Sequence, residues 1–154
     1  TVIGNDNNFL AYTHVAHDCQ LGNHIVMSNV ATLAGHVVVG DRAIIGGLAA
    51  VHQFCRIGTI SIIGGCSKVV QDAPPYMVVD GNPAATRALN KEGLRRNDVP
   101  EETQAGLKQA HRILFRENLT VTNAIEKARA EVSASPELDH LLNFIQSSER
   151  GIAK

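Results

Sequence analysis

Tryptophan is absent, and phenylalanine and tyrosine together make up only 4% of the 154 residues. A globular core usually draws much of its bulk from such rings. The apolar 44% of this chain must therefore be organised around Ile, Val, Leu and Ala. A large net charge is also missing. The formal value of −1 gives no general reason to expect nucleic acid or a membrane surface as partner. No apolar run reaches the roughly 18 residues that span a bilayer, and no signal peptide is visible. The three cysteines, Cys19, Cys55 and Cys66, are odd in number and lack metal-type spacing. They read as reduced, buried thiols of a cytoplasmic protein, with no structural metal implied.

Charge is also scarce in one half. Of 14 basic and 15 acidic side chains, 8 fall in residues 1–80 and the other 21 in residues 81–154. Ala73-Pro74-Pro75-Tyr76 and Gly81-Asn82-Pro83 mark the change, being residues that interrupt regular structure. The expected organisation is a repeat domain over 1–80 and a helical domain over 81–154.

What the first half does have is a period. Every sixth residue from Ile3 is large and apolar: Ile3, Phe9, Val15, Leu21, Met27, Leu33, Val39, Ile45, Val51, Ile57, Ile63 and Val69. Four positions after each lies a mostly small residue, as in Cys19, Ala31, Ala43, Ala49, Cys55 and Ala73. Neither a helix nor an alternating strand uses a period of six. A short strand plus a turn does, with one bulky and one small side chain pointing inward. The pairs Ile3-Gly4, Leu21-Gly22, Val39-Gly40 and Ile57-Gly58 recur at 18, or three hexads. One coil therefore has three sides, and residue n lies under n+18 at the ~4.8 Å strand spacing. The fold expected is a β-solenoid, a parallel β-helix of hexapeptide repeats, with glycines at one corner of each coil, where the backbone turns sharply and a Cβ is unwelcome. Thr1-Val2-Ile3-Gly4 already lies inside a repeat, so earlier coils are expected to precede it.

The second half reads as helices, with apolar stripes at Ala105, Leu107, Ala110, Ile113 and Leu114, then at Val121, Ala124, Ile125, Ala128 and Val132. A third runs through Leu138, Leu141, Leu142 and Ile145. Thr120 and Ser135 suit N-caps, the latter with Pro136 following at the first helical position.

Hexads 15–20, 33–38 and 51–56 should stack on one face. His17 then lies below Gly35, which lies below Gln53, and Asp18 lies below His36. His14 sits at the corner leading into this face. A neutral imidazole can take a proton from an alcohol. Asp18 could fix its tautomer, and Gly35 leaves an N–H open to a developing oxyanion. With the Gln53 amide, this set suits acyl transfer to a hydroxyl. The competing chemistry is a zinc hydratase of γ-carbonic-anhydrase type, using His14, His17 and His36.

Three stretches carry a resemblance: His14-Val15-Ala16-His17-Asp18-Cys19, Asn29-Val30-Ala31-Thr32-Leu33-Ala34-Gly35-His36, and Ala50-Val51-His52-Gln53-Phe54-Cys55. It continues through Gly64-Gly65-Cys66-Ser67, Pro74-Pro75-Tyr76 and Asn90-x-Glu92-Gly93-Leu94-Arg95-Arg96. The chain resembles the left-handed β-helix acyltransferases, and within them the acyl-carrier-protein–UDP-N-acetylglucosamine O-acyltransferase family of lipid A biosynthesis. The resemblance implies a left-handed coil, a homotrimer and a cytoplasmic enzyme without cofactor or metal. Its substrates would be UDP-N-acetylglucosamine and acyl carrier protein. It implies His17 as general base supported by Asp18, with the Gly35 N–H on the oxyanion. His14 and His36 would contact the sugar, and His52 with Gln53 the nucleotide sugar or the acyl donor's arm. Asn90, Glu92 and Arg96 would hold uridine and phosphates, although Asn97 stands where the family often shows a further basic residue. Gly65 would set acyl length by leaving the groove open, with Pro83 where some members carry histidine. Arg95, Arg96, Lys108, Arg112 and Arg116 would receive the acidic carrier protein. A related N-acyltransferase or a CoA-dependent enzyme would share much of this pattern.

Overall fold

In the computed structural model, which describes residues 1–154, the hexads become two-residue strands. The first coil contains β1 (Val2–Ile3), β2 (Asn8–Phe9) and β3 (His14–Val15). The second contains β4 (Gln20–Leu21), β5 (Val26–Met27) and β6 (Thr32–Leu33). The third contains β7 (Val38–Val39), β8 (Ile44–Ile45) and β9 (Ala50–Val51). The fourth contains β10 (Arg56–Ile57), β11 (Ile62–Ile63) and β12 (Lys68–Val69). Strands one coil apart pair in parallel with partners 18 residues away, as in Val2 with Gln20 and His14 with Thr32. Three flat sheets result, and the large and small positions of each hexad line the interior. Met27, Leu33, Ile45 and Ile63 are fully buried, as are Cys19, Ala31, Ala43 and Cys55.

At the corners a Cβ is unwelcome at the glycines, as expected, but the glycines are not the residues that make the turn. Gly22, Gly40 and Gly58 do not have left-handed φ values; an alanine Cβ at Gly40 would lie 2.7 Å from the Thr59 backbone nitrogen. These glycines permit close approach of the next coil. The left-handed residues fall two positions later and recur every six: Asp6, Tyr12, Asp18, His24, Val30, His36, Arg42, Leu48, Phe54, Ile60 and Cys66, with φ from 56° to 66°. For a β-branched residue such as Val30 this is costly in isolation. The stack offsets the cost, because the N–H of each such residue from His24 onward donates to a carbonyl one coil below. Val30 bonds to Ala11, His36 to His17 and Phe54 to Gly35, at 3.0 to 3.1 Å. Cys66 sits at such a corner and is exposed, so only Cys19 and Cys55 are buried thiols; all three are free.

The eighteen-residue spacing ends at Asp72–Pro75. Ile57 bridges Ala73 and Ile62 pairs with Val78, both sixteen apart. A hairpin follows, β13 (Met77–Gly81) with β14 (Ala84–Leu89), straddling positions 80 and 81. Its Met77 and Val79 continue the solenoid core. Then come α1 (Lys91–Arg96), α2 (Glu101–Arg116), α3 (Val121–Glu131) and α4 (Pro136–Gln146). Thr120 and Ser135 cap α3 and α4 as expected, accepting from Asn123 N at 3.2 Å and Leu138 N at 3.1 Å. The three stripes are buried except at Ala105 and Val121, which face outward. No helix is long and apolar enough to cross a membrane.

The end of the chain returns to the coils. Asp72 N donates to Gly151 O at 2.8 Å, and Ala153 N donates to Asp72 O at 3.0 Å. Arg56 clasps α4 to the solenoid: its Nη2 donates to Phe144 O at 2.7 Å and its guanidinium stacks 4.1 Å above the Phe144 ring.

Candidate active site

The stacked polar residues lie at a corner, between the sheet of β3, β6 and β9 and the sheet of β4, β7 and β10. Residues 17–18, 35–36 and 53–54 form it, and His14 is on strand β3. This reverses the expected arrangement, in which these residues lay along a face and His14 at the corner. The vertical order is as expected. His36 N donates to His17 O at 3.0 Å, and Phe54 N to Gly35 O at 3.1 Å.

Neighbours in a strand point to opposite sides, but the left-handed φ of Asp18 turns its carboxylate back to its predecessor. His17 Nδ1 lies 2.9 Å from Asp18 Oδ2, and His36 Nε2 lies 3.7 Å from the same oxygen. A carboxylate accepts, so the neutral His17 ring carries its proton on Nδ1 and leaves the Nε2 lone pair free. The hydrogen bond from His17, helped by the nearby charges of His36 and His17, holds the Asp18 carboxyl below the usual range. Asp18 is therefore ionised through the neutral range.

Gly35 is buried beneath the His17 ring. A Cβ there would lie 2.6 Å from His17 Cε1 and 2.7 Å from His17 Nε2, so only glycine lets the ring occupy this place. The Gly35 N–H donates to no group of the chain. At the corner formed by residues 5 and 23 the equivalent N–H groups are claimed from the coil above, Asn5 N by Asn23 Oδ1 and Asn23 N by Asp41 Oδ1. Gln53, in the corresponding place above Gly35, makes no such bond. A basic nitrogen and an unclaimed N–H thus lie side by side.

His17 and His36 meet edge to face with ring centroids 5.2 Å apart, and His36 stacks on Phe54 at 4.6 Å. Phe54 was not among the expected site residues, although the column Asp18, His36, Phe54 at intervals of 18 points to it. His17, Asp18 and His36 offer ligand atoms all within 4.8 Å of one another. This is not the set of three histidines considered above, since His14 does not join it. Gln53 is exposed at the corner and His52 just before it, with His52 Nδ1 3.2 Å from Gln53 O.

The other expected residues are elsewhere. Asn90 is buried and caps α1, accepting from Gly93 N at 3.1 Å and donating to Ile60 O at 2.8 Å. Glu92 and Arg96 are exposed on α1 and paired, Arg96 Nε to Glu92 Oε1 at 2.9 Å. Arg95 binds the same carboxylate and is the main cause of its lowered pKa. This group sits by Ile60, at the corner of residues 59–60. Gly65 is exposed at the remaining corner, where a Cβ would meet only the Gly47 backbone, its oxygen at 3.3 Å. Of the basic residues on α2, Arg112 pairs with Glu117 at 3.4 Å and Arg116 donates to Arg87 O at 2.9 Å. Lys108 is exposed.

Known proteins agree with this architecture. An acyl-[acyl-carrier-protein]–UDP-N-acetylglucosamine O-acyltransferase of Verminephrobacter eiseniae is 48% identical, aligned over 100% of this chain and 60% of its own length. One from Burkholderia mallei is 42% identical over the same shares. The chain thus spans about 60% of the length of the curated relatives it matches. The crystal structure of a UDP-N-acetylglucosamine O-acyltransferase from Moraxella catarrhalis superimposes with a TM-score of 0.94 at 39% identity, over 99% of this chain and 59% of the other. The coil is accordingly the left-handed parallel β-helix of hexapeptide repeats. Residues 72–153, more than half of the chain, match the family described as UDP N-acetylglucosamine O-acyltransferase, domain 2, and the chain belongs to that family.

Proposed function

We propose that the protein transfers a 3-hydroxyacyl chain from acyl carrier protein to the glucosamine 3-hydroxyl of UDP-N-acetylglucosamine, the first step of lipid A biosynthesis. The observation that carries this reading is the free Nε2 of His17, set by the Nδ1–Asp18 bond and seated against Gly35. His17 Nε2 removes the proton of the 3-hydroxyl as its oxygen attacks the thioester carbonyl. The Gly35 N–H stabilises the oxyanion of the tetrahedral intermediate. Collapse expels the carrier's thiolate, and the imidazolium returns its proton to sulfur. Asp18 holds the tautomer before the transfer and offsets the imidazolium charge after it. His14 and His36 contact the sugar, His52 and Gln53 the nucleotide sugar or donor arm, and Glu92 and Arg96 the uridine and phosphates, while Asn90, buried as the cap of α1, positions the helix that carries them.

Those groups occupy different corners of one chain, so no single subunit brings them round one ligand. A homotrimer with its sites between neighbouring subunits would do so, and Gly65 would then leave room along the interface for the acyl chain. The repeat domain, 1–80, supplies the base and the helical domain, 81–154, the phosphate contacts. Three unpaired cysteines favour a reducing compartment, in keeping with the cytoplasm. A divalent cation held by His17, Asp18 and His36 is the rival for the same side chains, and through His17 Nε2 it would occupy the lone pair that the base needs.

The test pairs donors and acceptors: acyl carrier protein or CoA thioesters against UDP-N-acetylglucosamine or a 3-amino sugar analogue, each with and without chelator. Chelator-insensitive transfer from carrier protein to the 3-hydroxyl supports the reading. Exclusive use of CoA, exclusive N-acylation, or loss on metal removal overturns it. Replacing Gly35 with Ala must displace the His17 ring, and a misplacement of about 1 Å costs on the order of 10²-fold in turnover. Because His17 is largely exposed, the thermal transition should barely move; near-normal turnover would remove Gly35 from the mechanism.

A further inference from the structure

Arg150 is 98 residues from His52 in sequence, yet its Nη2 lies 3.3 Å from His52 Nδ1. The returning end of the chain delivers it. Nη2 also donates to Val70 O at 3.0 Å, and Arg150 O accepts from Gln71 Nε2 at 3.3 Å. His52 Nδ1 has a second neighbour, the carbonyl of Gln53 at 3.2 Å. The two neighbours make opposite demands. A carbonyl only accepts and needs a proton on Nδ1, whereas a guanidinium only donates and needs a lone pair there. A bond from an ionised donor is the stronger of the two kinds.

We propose that Arg150 is a positioning residue that holds neutral His52 as its Nε2–H tautomer, so that the ring presents a hydrogen-bond donor to an oxygen of the acyl donor or nucleotide sugar. This rests on the reading that the corner binds those substrates. His52 is exposed, and its Nε2 bonds to nothing in the chain, so the donor is available. Arg150 lines a cleft of about 540 Å³ beside the corner, together with Phe54, Arg56, Asp72, Ser147 and Glu149. Its Nε is buried without a partner, which places the guanidinium against the coil rather than out in solvent. Burial pushes the Cys55 thiol up while the charge of Arg150 opposes the rise, which sets the cation near the same coil. The two acidic residues of the cleft do not compete for it. Asp72 is taken by Arg56 and Ser148, and Glu149 forms no ion pair with Arg150.

The decisive measurement is the long-range ¹H–¹⁵N spectrum of the histidine rings in ligand-free protein at neutral pH, with His52 assigned by its loss in His52→Gln. A protonated Nε2 and bare Nδ1 are expected; a protonated Nδ1 in the unmutated protein overturns the proposal. Arg150→Met should move the proton to Nδ1, and Arg150→Lys should largely restore the original state. An unchanged ring in folded Arg150→Met also overturns it. If that variant does not fold, the spectrum of the unmutated protein decides alone. In the transfer assay, Arg150→Met should raise KM roughly tenfold, the loss of about one hydrogen bond to a charged group, with kcat nearly unchanged. The spectrum needs no substrate. The expected tautomer in a protein that transfers no acyl chain would sustain the role of Arg150 and refute the proposed reaction.

Discussion

Replacing His17 with alanine is expected to lower turnover by about 10²- to 10⁴-fold, the usual worth of a positioned general base. The fold should not change, because the side chain is 72% exposed and its hydrogen bond is to Asp18, itself 62% exposed. Surface changes of this kind usually shift stability by less than about 0.5 kcal/mol. The comparison with His17→Gln matters. Glutamine keeps bulk over Gly35 but has no group that takes a proton near neutral pH, so it should be as inactive as alanine. If His17 only filled space above Gly35, glutamine would rescue turnover. Steady-state rates with carrier-bound acyl donor, alongside thermal unfolding of each variant, separate the two accounts.

The second large effect is on stability. Asp72 is 1% exposed and does three things at once. Its Oδ1 accepts from Arg56 N at 2.8 Å, and its Oδ2 accepts from Arg56 Nε at 3.3 Å and Ser148 Oγ at 2.7 Å. Asp72→Ala leaves Arg56 without its carboxylate and a half-buried backbone N–H without an acceptor. Breaking a buried pair from one side costs about 3–5 kcal/mol. For a domain of this size that lowers the melting temperature by roughly 6–20 °C. Asp72→Asn keeps an acceptor for Arg56 N and should lose less. Denaturant titration of both variants checks the order, and a loss below about 1 kcal/mol for alanine would mean that the clasp contributes little. The loosened end of the chain also carries Arg150, so Asp72→Ala should weaken substrate binding in the fraction that stays folded.

The solenoid was legible because each side of a coil needs one large and one small inward residue, and that demand repeats strictly. The corners were less so. Left-handed φ usually favours glycine, asparagine or aspartate, but here Val30, Leu48 and Ile60 adopt it, held by bonds to the coil below. Residue type therefore does not mark the turn, and the visible glycines mark the close approach next to it. That is why His17 was expected on a face and His14 at a corner. The hairpin of β13 and β14 was hidden by the Pro74, Pro75 and Pro83 interruptions. Asn90 is an N-cap residue type that holds the N–H three residues on, so its place in the motif has a structural reason. At the site, the file of His17, Gly35 and Gln53 followed from the period alone. The 2.9 Å bond between adjacent His17 and Asp18 did not, since it depends on the turn at Asp18. Arg150 could not have been found from sequence, because only the folded end of the chain brings it to His52.

The most direct test is a crystal structure of the assembled protein with its acylated UDP-sugar product bound. It should place His17 Nε2 about 2.7–3.2 Å from the glucosamine 3-oxygen, with the Gly35 N–H directed at the acyl carbonyl oxygen. Product bound with that ester oxygen out of reach of His17, or at another corner of the coil, would contradict the proton-transfer centre described here.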